Sequence, residues 1–515
     1  MSATLYDKEV LVSNLKADLK QLIAYVEQAA GKEEIHTAEK EIFRQVRHIG
    51  YLGLQLFVQE CGTGYQADNP PLSEDGKPLR YKDDFDAKYL SIFGELAIPR
   101  AGYHDESLHR YHFPLDAQLN LPQEKYSYLL TDWVLSRATE TDYRDSVELF
   151  NKIFELDLTQ AIPQRMCKEV SPSVAPFYEE AEAPPAATEG SHLCITADGK
   201  GISIVKSERQ GEDYKPETPK ARRAKGEKPG IKKEATVTVD YSFNPGARTP
   251  EEIVKALLHE YTIDELEQKK NEQKEARADN LPLPRMALNK HQRATLRGKD
   301  QAMELLMQRL AKRDPDGRKE VVALIDGAPS LESALTRAIK KYGFQDRIVA
   351  IILDIIHVCE YVWEAGTAIY GEKSCERLPW VRTKLLAILN GQVGYVIGSL
   401  KQIIQRRKLS QSKIQTLNKA IKYFTNHQHM MKYDEYLAKG YPIGTGVVEG
   451  ACGSLVKNRM GRSGMRWKIN GAEAMLDQRA VNKNGDWQEF MQAYVVKEKS
   501  RLYADNYQRQ KKTAA

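Results

Sequence analysis

The sequence predicts a multidomain α+β protein, with a helical and β-ribbon N-terminal region ahead of an α/β domain that carries a helical insertion. Three observations lead there. Residues 319–326 (KEVVALID) and 347–354 (RIVAIILD) are continuously apolar, the pattern of strands covered on both faces and therefore parallel. A helical pattern at 330–342 supplies the crossover that such a pair needs. Residues 171–190, SPSVAPFYEEAEAPPAATEG, shift in composition to Pro, Ala and Glu and read as an interdomain linker.

At 515 residues the chain is too long for one compact core and should hold two to four domains. A hydrophobic fraction of 41% with 29% charged residues is that of a soluble globular protein. No apolar run approaches the roughly 20 residues that span a bilayer, and the longest candidate, 348–358, is broken by Asp354. The start, MSATLYDKEV, has neither the basic opening nor the apolar core of a secretory signal. Six cysteines with no CxxC pair argue against a cysteine zinc site and suit a reducing cytosol, as small buried hydrophobes. Net charge is only +5, yet residues 401–470 hold fourteen Lys and Arg against three acids, a local balance of +11. That points to a polyanionic partner, most simply nucleic acid; a solvated helical face is the plainer alternative.

In chain order, residues 1–68 read as helical, with Ile42, Phe43, Val46, Ile49 and Phe57 making one apolar face. Residues 69–125 open on a Pro and Gly loop and then show strand alternation in KYLSIFGELAIPR (88–100) and HRYHFPLD (109–116), a β-ribbon. His104, His109 and His112 fall near its turn and, without acids or cysteines at matching spacing, read as ordinary surface histidines. Within 126–170 the helical stretches 126–137 and 143–154 precede LDLTQAIPQRMCKEV, which offers Thr159 as N-cap with Pro163 close behind. Read as a helix-turn-helix, this segment presents Gln160, Gln164 and Arg165 to a major groove. A plain helical pair has the same spacing.

Residues 191–490 are α/β in character. SHLCITADGKGISIV (191–205) reads as a strand, an Asp198-Gly199 turn and a second strand, and TVTVDYSF (236–243) as a third. Between them, 206–233 is too rich in Lys, Pro and Gly to pack and reads as a mobile basic loop. Thr249, Pro250 and Glu252 give an N-cap, a first-turn proline and a capping glutamate that open a helical insertion over 249–313. Long helices are expected at 358–370, 385–404 and 413–424, and a C-terminal tail at 491–515 that is polar and frays after Tyr503.

Residues 441–467, YPIGTGVVEGACGSLVKNRMGRSGMRW, set one carboxylate between a glycine-rich loop and a run of cations. Gly444, Thr445 and Gly446 are expected to allow an unusual backbone path, and a helix over 447–459 would hold Glu449 in its first turn, at the positive end of the dipole. Alone, such a glutamate is commonplace. Three strands, a helical region, two parallel strands and a late helix bearing an acid is, however, the element order of an RNase H-like domain. In that sheet the first strand is central and the fourth lies about 4.8 Å beside it, so Asp198 and Asp326 can meet. Glu449 then completes a three-carboxylate site for two Mg²⁺ (or Mn²⁺) ions. Singly, Asp198-Gly199 is also a good hairpin-turn dipeptide and Asp326 could merely shape a loop. Asp354 closes the fifth strand, roughly 9 to 10 Å from Asp198 by strand spacing, and ranks behind Asp326 as a ligand. His357 reads as a core histidine or as a group that orients a carboxylate or contacts DNA.

The motifs ITADGKG, ALIDG, ILDIIHVCEYVWEA and GTGVVEGACGSLVKNRM...SGMRW...GAEAML resemble the bacterial insertion-sequence transposases of the Kra type, within the wider DDE group that includes Mutator-like elements. The resemblance runs from the ribbon to about Trp487. It implies an RNase H-like catalytic domain, divalent metal at Asp198, Asp326 and Glu449, cleavage at element ends, and transfer of 3′-hydroxyls into target DNA. In that group a Cys or Asp followed two residues later by His comes after the second catalytic acid, and Asp354 and His357 match this accessory pattern. The implied partners are double-stranded DNA, as terminal repeats and target, and further copies of the chain on that DNA, in a nucleoid-associated cytoplasmic setting without a membrane. Lys457, Arg459, Arg462 and Arg466 would grip phosphates, and Trp467 would either stack on an unpaired base or belong to the core. A structure-specific nuclease and a domesticated, non-catalytic DNA-binding protein are the alternatives. The chain departs from some relatives in lacking a cysteine-bearing knuckle after the ribbon and in its basic loop.

Overall fold

The structure, a computed structural model, describes residues 7–208, 232–278 and 284–513. Two compact units result, Met1–Phe177 with Asp486–Ala515 and Tyr178–Gly485, so the chain is a multi-element α+β protein. None of the described helices is long and apolar enough to cross a membrane.

In the first unit, helices Lys8–Ala29 and Ile35–Cys61 pack on one another. The apolar face expected on the second helix is not its buried one: Phe43, Val46 and Phe57 are exposed, while Gln45, Leu52, Gln55 and Val58 turn inward. Helical periodicity identifies a stripe but not which neighbour covers it. Strands β1 (Arg80–Ser91), β2 (Gly94–Asp105) and β3 (Arg110–His112) form an antiparallel ribbon in that order. The hairpin turn therefore falls inside the 88–100 motif, before Gly94 at φ 136°, where an L side chain would be strained.

Helices Tyr128–Glu140, Tyr143–Phe154 and Ala161–Val170 cluster together. The N-cap of the last is Gln160 rather than Thr159, and it makes no side-chain capping bond. The division between the two units falls within residues 171–190, between Phe177 and Tyr178, and the stretch is structured. It holds a helix at Val174–Glu180, and Val174 and the Glu189 side chain are buried. The C-terminal segment belongs to the first unit as helix Trp487–Thr513, with the Trp487 indole donating to Asp132 at 2.7 Å and the Tyr503 hydroxyl donating to the Leu121 carbonyl at 2.6 Å.

The second unit is built on a five-stranded sheet, β4 (His192–Ser203), β5 (Lys232–Phe243), β6 (Leu288–Thr295), β7 (Val321–Ile325) and β8 (Ile348–Leu353), in the order β6-β5-β4-β7-β8. β4 pairs antiparallel with β5 and β5 with β6, whereas β4–β7 and β7–β8 are parallel. Continuous apolarity did mark the parallel pair, and all five residues of β7 are buried. Two expectations change. Asp198-Gly199 is no turn, because β4 runs unbroken with Asp198 opposite Val237. The third antiparallel strand is β6, inside the region read as a helical insertion; LNKHQRAT is too polar to announce a strand.

Thr249 caps helix Pro250–Leu257 with the expected reciprocal box to Glu252. Helix Lys299–Arg313 packs on β5. The stretch 385–404 is two helices, Arg377–Leu389 and Val393–Arg406, parted at Gly391 with φ 74°. Of the basic loop, residues 209–231 lie outside the described residues, and Lys232 and Lys233 already belong to β5.

Candidate functional site

β4 and β7 pair in register from Leu193↔Val321 to Thr196↔Leu324. Continuing two residues along each strand brings Asp198 level with Asp326, and equal registers on parallel neighbours put side chains on one face. Both residues are partly exposed. Asp326 is fixed at side chain and backbone: its Oδ1 accepts from Ala328 N at 2.8 Å and its carbonyl accepts from the Tyr423 hydroxyl at 2.9 Å. Gly327 follows at φ 81°, where a Cβ would lie 2.7 Å from Leu353 and 3.1 Å from His427, so the turn needs glycine.

Glu449 arrives on helix Gly446–Ala451, which continues as a π-helical turn over Cys452–Lys457. π-turns recur at functional sites, and this one is braced. Arg479, 1% exposed on helix Ile469–Asn484, donates Nε to the Leu455 carbonyl at 2.6 Å and Nη2 to that of Ser454. The brace holds the helix over β4, so that Cys452 Sγ donates to Asp198 Oδ2 at 3.3 Å. Burial pushes the Cys452 thiol up, and the negative charge of Asp198 adds to it, so the group remains a donor. Glu449 itself is exposed, with Oε1 accepting from the Thr445 hydroxyl at 3.3 Å.

Asp354 is fully buried and engaged on both oxygens. Oδ1 accepts from Ile356 N at 3.1 Å and Thr445 N at 3.0 Å, and Oδ2 meets His357 Nδ1 at 2.8 Å. Burial pushes its carboxyl up, but the bonds from His357 and Thr445 outweigh this and hold it below the ordinary range. The same bond raises His357 to about 9, which makes it an imidazolium at neutral pH. A path of contacts thus links Asp354, the Thr445 backbone, the Thr445 hydroxyl and Glu449.

Asp354, His357 and Glu449 each place a ligand atom within 4.8 Å of the others, the single such group of three among the described residues, and Asp198 and Asp326 stand outside it. Asp354, ranked behind Asp326 as a ligand and matched to the accessory position, reaches the site through Glu449. Strand spacing does separate it from Asp198, but Glu449 comes in on a loop that Asp354 itself anchors. With both Asp354 oxygens occupied and a proton on His357, this group is a clamp beside the acids.

Two of the expected DNA contacts are core residues. Arg459 is 0% exposed, its guanidinium 5.1 Å from the Trp467 ring centre, and Trp467 is buried with Nε1 donating to the Met460 carbonyl at 3.0 Å. Lys457, Arg462 and Arg466 are exposed. The three cations differ from Arg459 in burial, which helix spacing through an unforeseen π-turn does not forecast. Gly444 and Gly446 have ordinary φ values, so no unusual path exists there, but a Cβ on Gly446, Gly450 or Gly453 would meet nothing within 4 Å. The helix surface beside Glu449 is low and open.

In the first unit, Gln160, Gln164 and Arg165 are all exposed, and Arg165 is held by the Tyr126 hydroxyl at 2.7 Å and by Glu124 at 3.4 Å. The connection over 155–160 is longer than the three or four residues of a helix-turn-helix and is pinned by paired bonds between Asn151 and Leu158. The ribbon histidines form no three-ligand group among the described residues. The roles of Cys452, Tyr423 and Arg479 escaped the sequence reading, and Thr445 entered it only as part of the glycine-rich loop. A scan against family models found no match, and a search of curated proteins found none either.

Proposed function

We propose that the chain is a DDE-type DNA transposase with an RNase H-like catalytic domain, which cleaves at its element's ends and transfers the freed 3′-hydroxyls into target DNA. The observation that carries this reading is the level placement of Asp198 and Asp326 on neighbouring parallel strands, under the helix that bears Glu449. The sheet order, with the first strand central and the fourth beside it, supports the fold assignment. Three carboxylates that reach solvent offer hard oxygen donors suited to Mg²⁺ or Mn²⁺, which retain several waters.

Asp198, Asp326 and Glu449 would hold two such ions, whose chemistry is to activate a water or 3′-hydroxyl and to stabilise the leaving oxygen at phosphorus. The chain supplies the rest. Cys452 fixes the rotamer of Asp198, and Asp354 fixes Glu449 through Thr445. His357, cationic and half-buried, presents positive charge beside the acids. Lys457, Arg462 and Arg466 take phosphates of the strand that enters over Gly450 and Gly453. The first unit, with Gln160, Gln164 and Arg165, binds the terminal repeats. The protein works as a homo-oligomer on DNA in the nucleoid.

Incubating the protein with Mg²⁺ and DNA carrying the inverted repeats that flank its coding region should yield 3′-hydroxyl ends and joined products, both lost in Asp198→Ala. Cleavage that never gives a joined product would favour a structure-specific nuclease. Binding without cleavage in either metal would favour a domesticated DNA-binding protein.

A further inference from the structure

Between Glu376 and Asp434 the chain has no acidic residue, while residues 377–433 carry eleven Lys and Arg. Several of these are spent internally. Arg382 pairs with Glu260, Lys384 is buried against Ser399, Arg377 and Arg407 lie over Trp363 and Tyr370, and Lys419 pairs with Glu364 at 3.2 Å. Lys401, Arg406, Lys408, Lys413 and Lys422 have no acidic partner among the described residues.

These five sit on one helical hairpin. Helices Val393–Arg406 and Gln411–His427 pack on one another, and Val396, Leu400, Leu417, Ala420 and Phe424 are among their buried residues. Their outer faces show Lys401, Gln402, Gln405 and Arg406 on one helix and Gln411, Gln415, Asn418 and Lys422 on the other. Spacings of three and four put these on one side of each helix, giving cations and amides and no carboxylate. Amide and cationic side chains are the usual donors to phosphate oxygens.

The hairpin is tied to the acids. Lys422 adjoins Tyr423, whose hydroxyl donates to the Asp326 carbonyl. From Tyr423 back to Lys413 is ten residues, or about 15 Å of helix. A duplex rises about 3.4 Å per base pair along each strand, so the basic tip at 406–413 stands about four to five base pairs from a phosphate at Asp326.

We infer that this hairpin is a docking surface for the phosphate backbone of duplex DNA, gripping the duplex that flanks the reacting phosphate, separately from Lys457, Arg462 and Arg466. The inference rests on the reading of the protein as a DNA-processing enzyme and extends it to where the uncut flank lies. Charge complementarity carries it: a solvated surface helix normally mixes signs, and this one has a single sign on a face that no other described acid neutralises.

The test uses the full chain in EDTA and a fluorescent duplex of about three helical turns, with anisotropy measured across a salt series. Arg406→Ala, Lys408→Ala and Lys413→Ala combined should weaken binding at least tenfold at low salt. The slope of log K against log salt should become shallower by roughly two to three, at about 0.9 per lost phosphate contact. A variant of equal charge loss, Arg318→Ala, Lys340→Ala and Lys341→Ala, removes exposed cations from elsewhere in the unit and should leave the slope in place. An unchanged slope in the first variant, or the same fall in both, overturns the proposal. So does a loss for single-stranded RNA as steep as for the duplex. Because no metal is present, cleavage is scored separately: a fallen slope with no cleavage by wild type keeps the surface and removes the catalytic reading, and the reverse outcome removes the surface alone.

Discussion

The 178–485 unit contains two clusters of charged groups with opposite designs. On one face of the sheet, Arg313 at 0% side-chain exposure is clasped by Glu189 and by Asp240 at 2.7 Å each, with Lys319 3.0 Å from Glu189 and His291 3.3 Å from Asp240. On the other face lie Asp198, Asp326 and Glu449. The faces follow from register: Asp240 is opposite Ile195, and Ile195 and Asp198 are an odd number of residues apart on β4. In the first cluster each buried acid has a cation and no route to water. In the second the acids reach solvent and none is ion-paired among the described residues: Cys452 and Thr445 bond them as donors without charge, and His357 and Lys200 stand nearby. Acids with their own counter-charge hold a fold together; acids left without one can take a cation from solution.

Four measurements would break or sharpen that contrast. The largest effect is expected at the open cluster, where Asp198→Ala should cut metal-dependent cleavage by about 10³-fold or more. That corresponds to the several kcal/mol of transition-state stabilisation attributed to bound metal, while the melting temperature stays where it was. A large drop in melting temperature would instead make Asp198 structural. Next, Arg313→Met removes the cation that Glu189 and Asp240 share, leaving Lys319 beside the one and Arg309 and His291 beside the other, and urea unfolding should show a loss of about 3 kcal/mol. Equal stability in that variant would mean the closed cluster contributes nothing.

A smaller difference separates residues of the same run. Trp467→Phe removes the bond to the Met460 carbonyl and should cost about 1 kcal/mol, with DNA affinity of the folded protein unchanged. Arg462→Ala with Arg466→Ala should do the reverse, altering stability by no more than about 0.5 kcal/mol while weakening DNA binding. The smallest effect is electrostatic. In Asp354→Asn the His357 titration followed by NMR should fall from about 9 towards the ordinary 6.5, because the main cause of the shift is the Asp354 bond. In wild type, His357 binds its proton more tightly when folded, so its stabilisation is complete below about 6.5 and is lost as pH rises through about 9. Asp354 is held below 3.8, so its contribution is present above that value and is lost as pH falls below it. A His357 titration near 6.5 in wild type would dissolve the clamp.

Much of this site was legible in the chain because its signals are local. A continuous apolar run needs cover on both faces, so VVALI and IVAIIL could be read as parallel strands, and Asp326 and Asp354 follow directly after them. The capping box at Thr249 and the first-turn position of Glu449 are likewise settled within four residues of chain. What the tertiary structure alone decided was every choice made by a distant partner. Asp198 lies within a strand because Val237 and its neighbours pair alongside it, and LNKHQRAT is a strand because β5 has an edge to fill. Arg459 is core whereas Lys457 is surface because a π-turn, braced by Arg479, sets the helix rotation between them. Asp354 serves as a clamp because Thr445, ninety-one residues later, puts its N–H on the carboxylate. Periodicity and composition fix which groups are available, but burial and register depend on contacts between remote segments, and those contacts separated the compensated acids from the open ones.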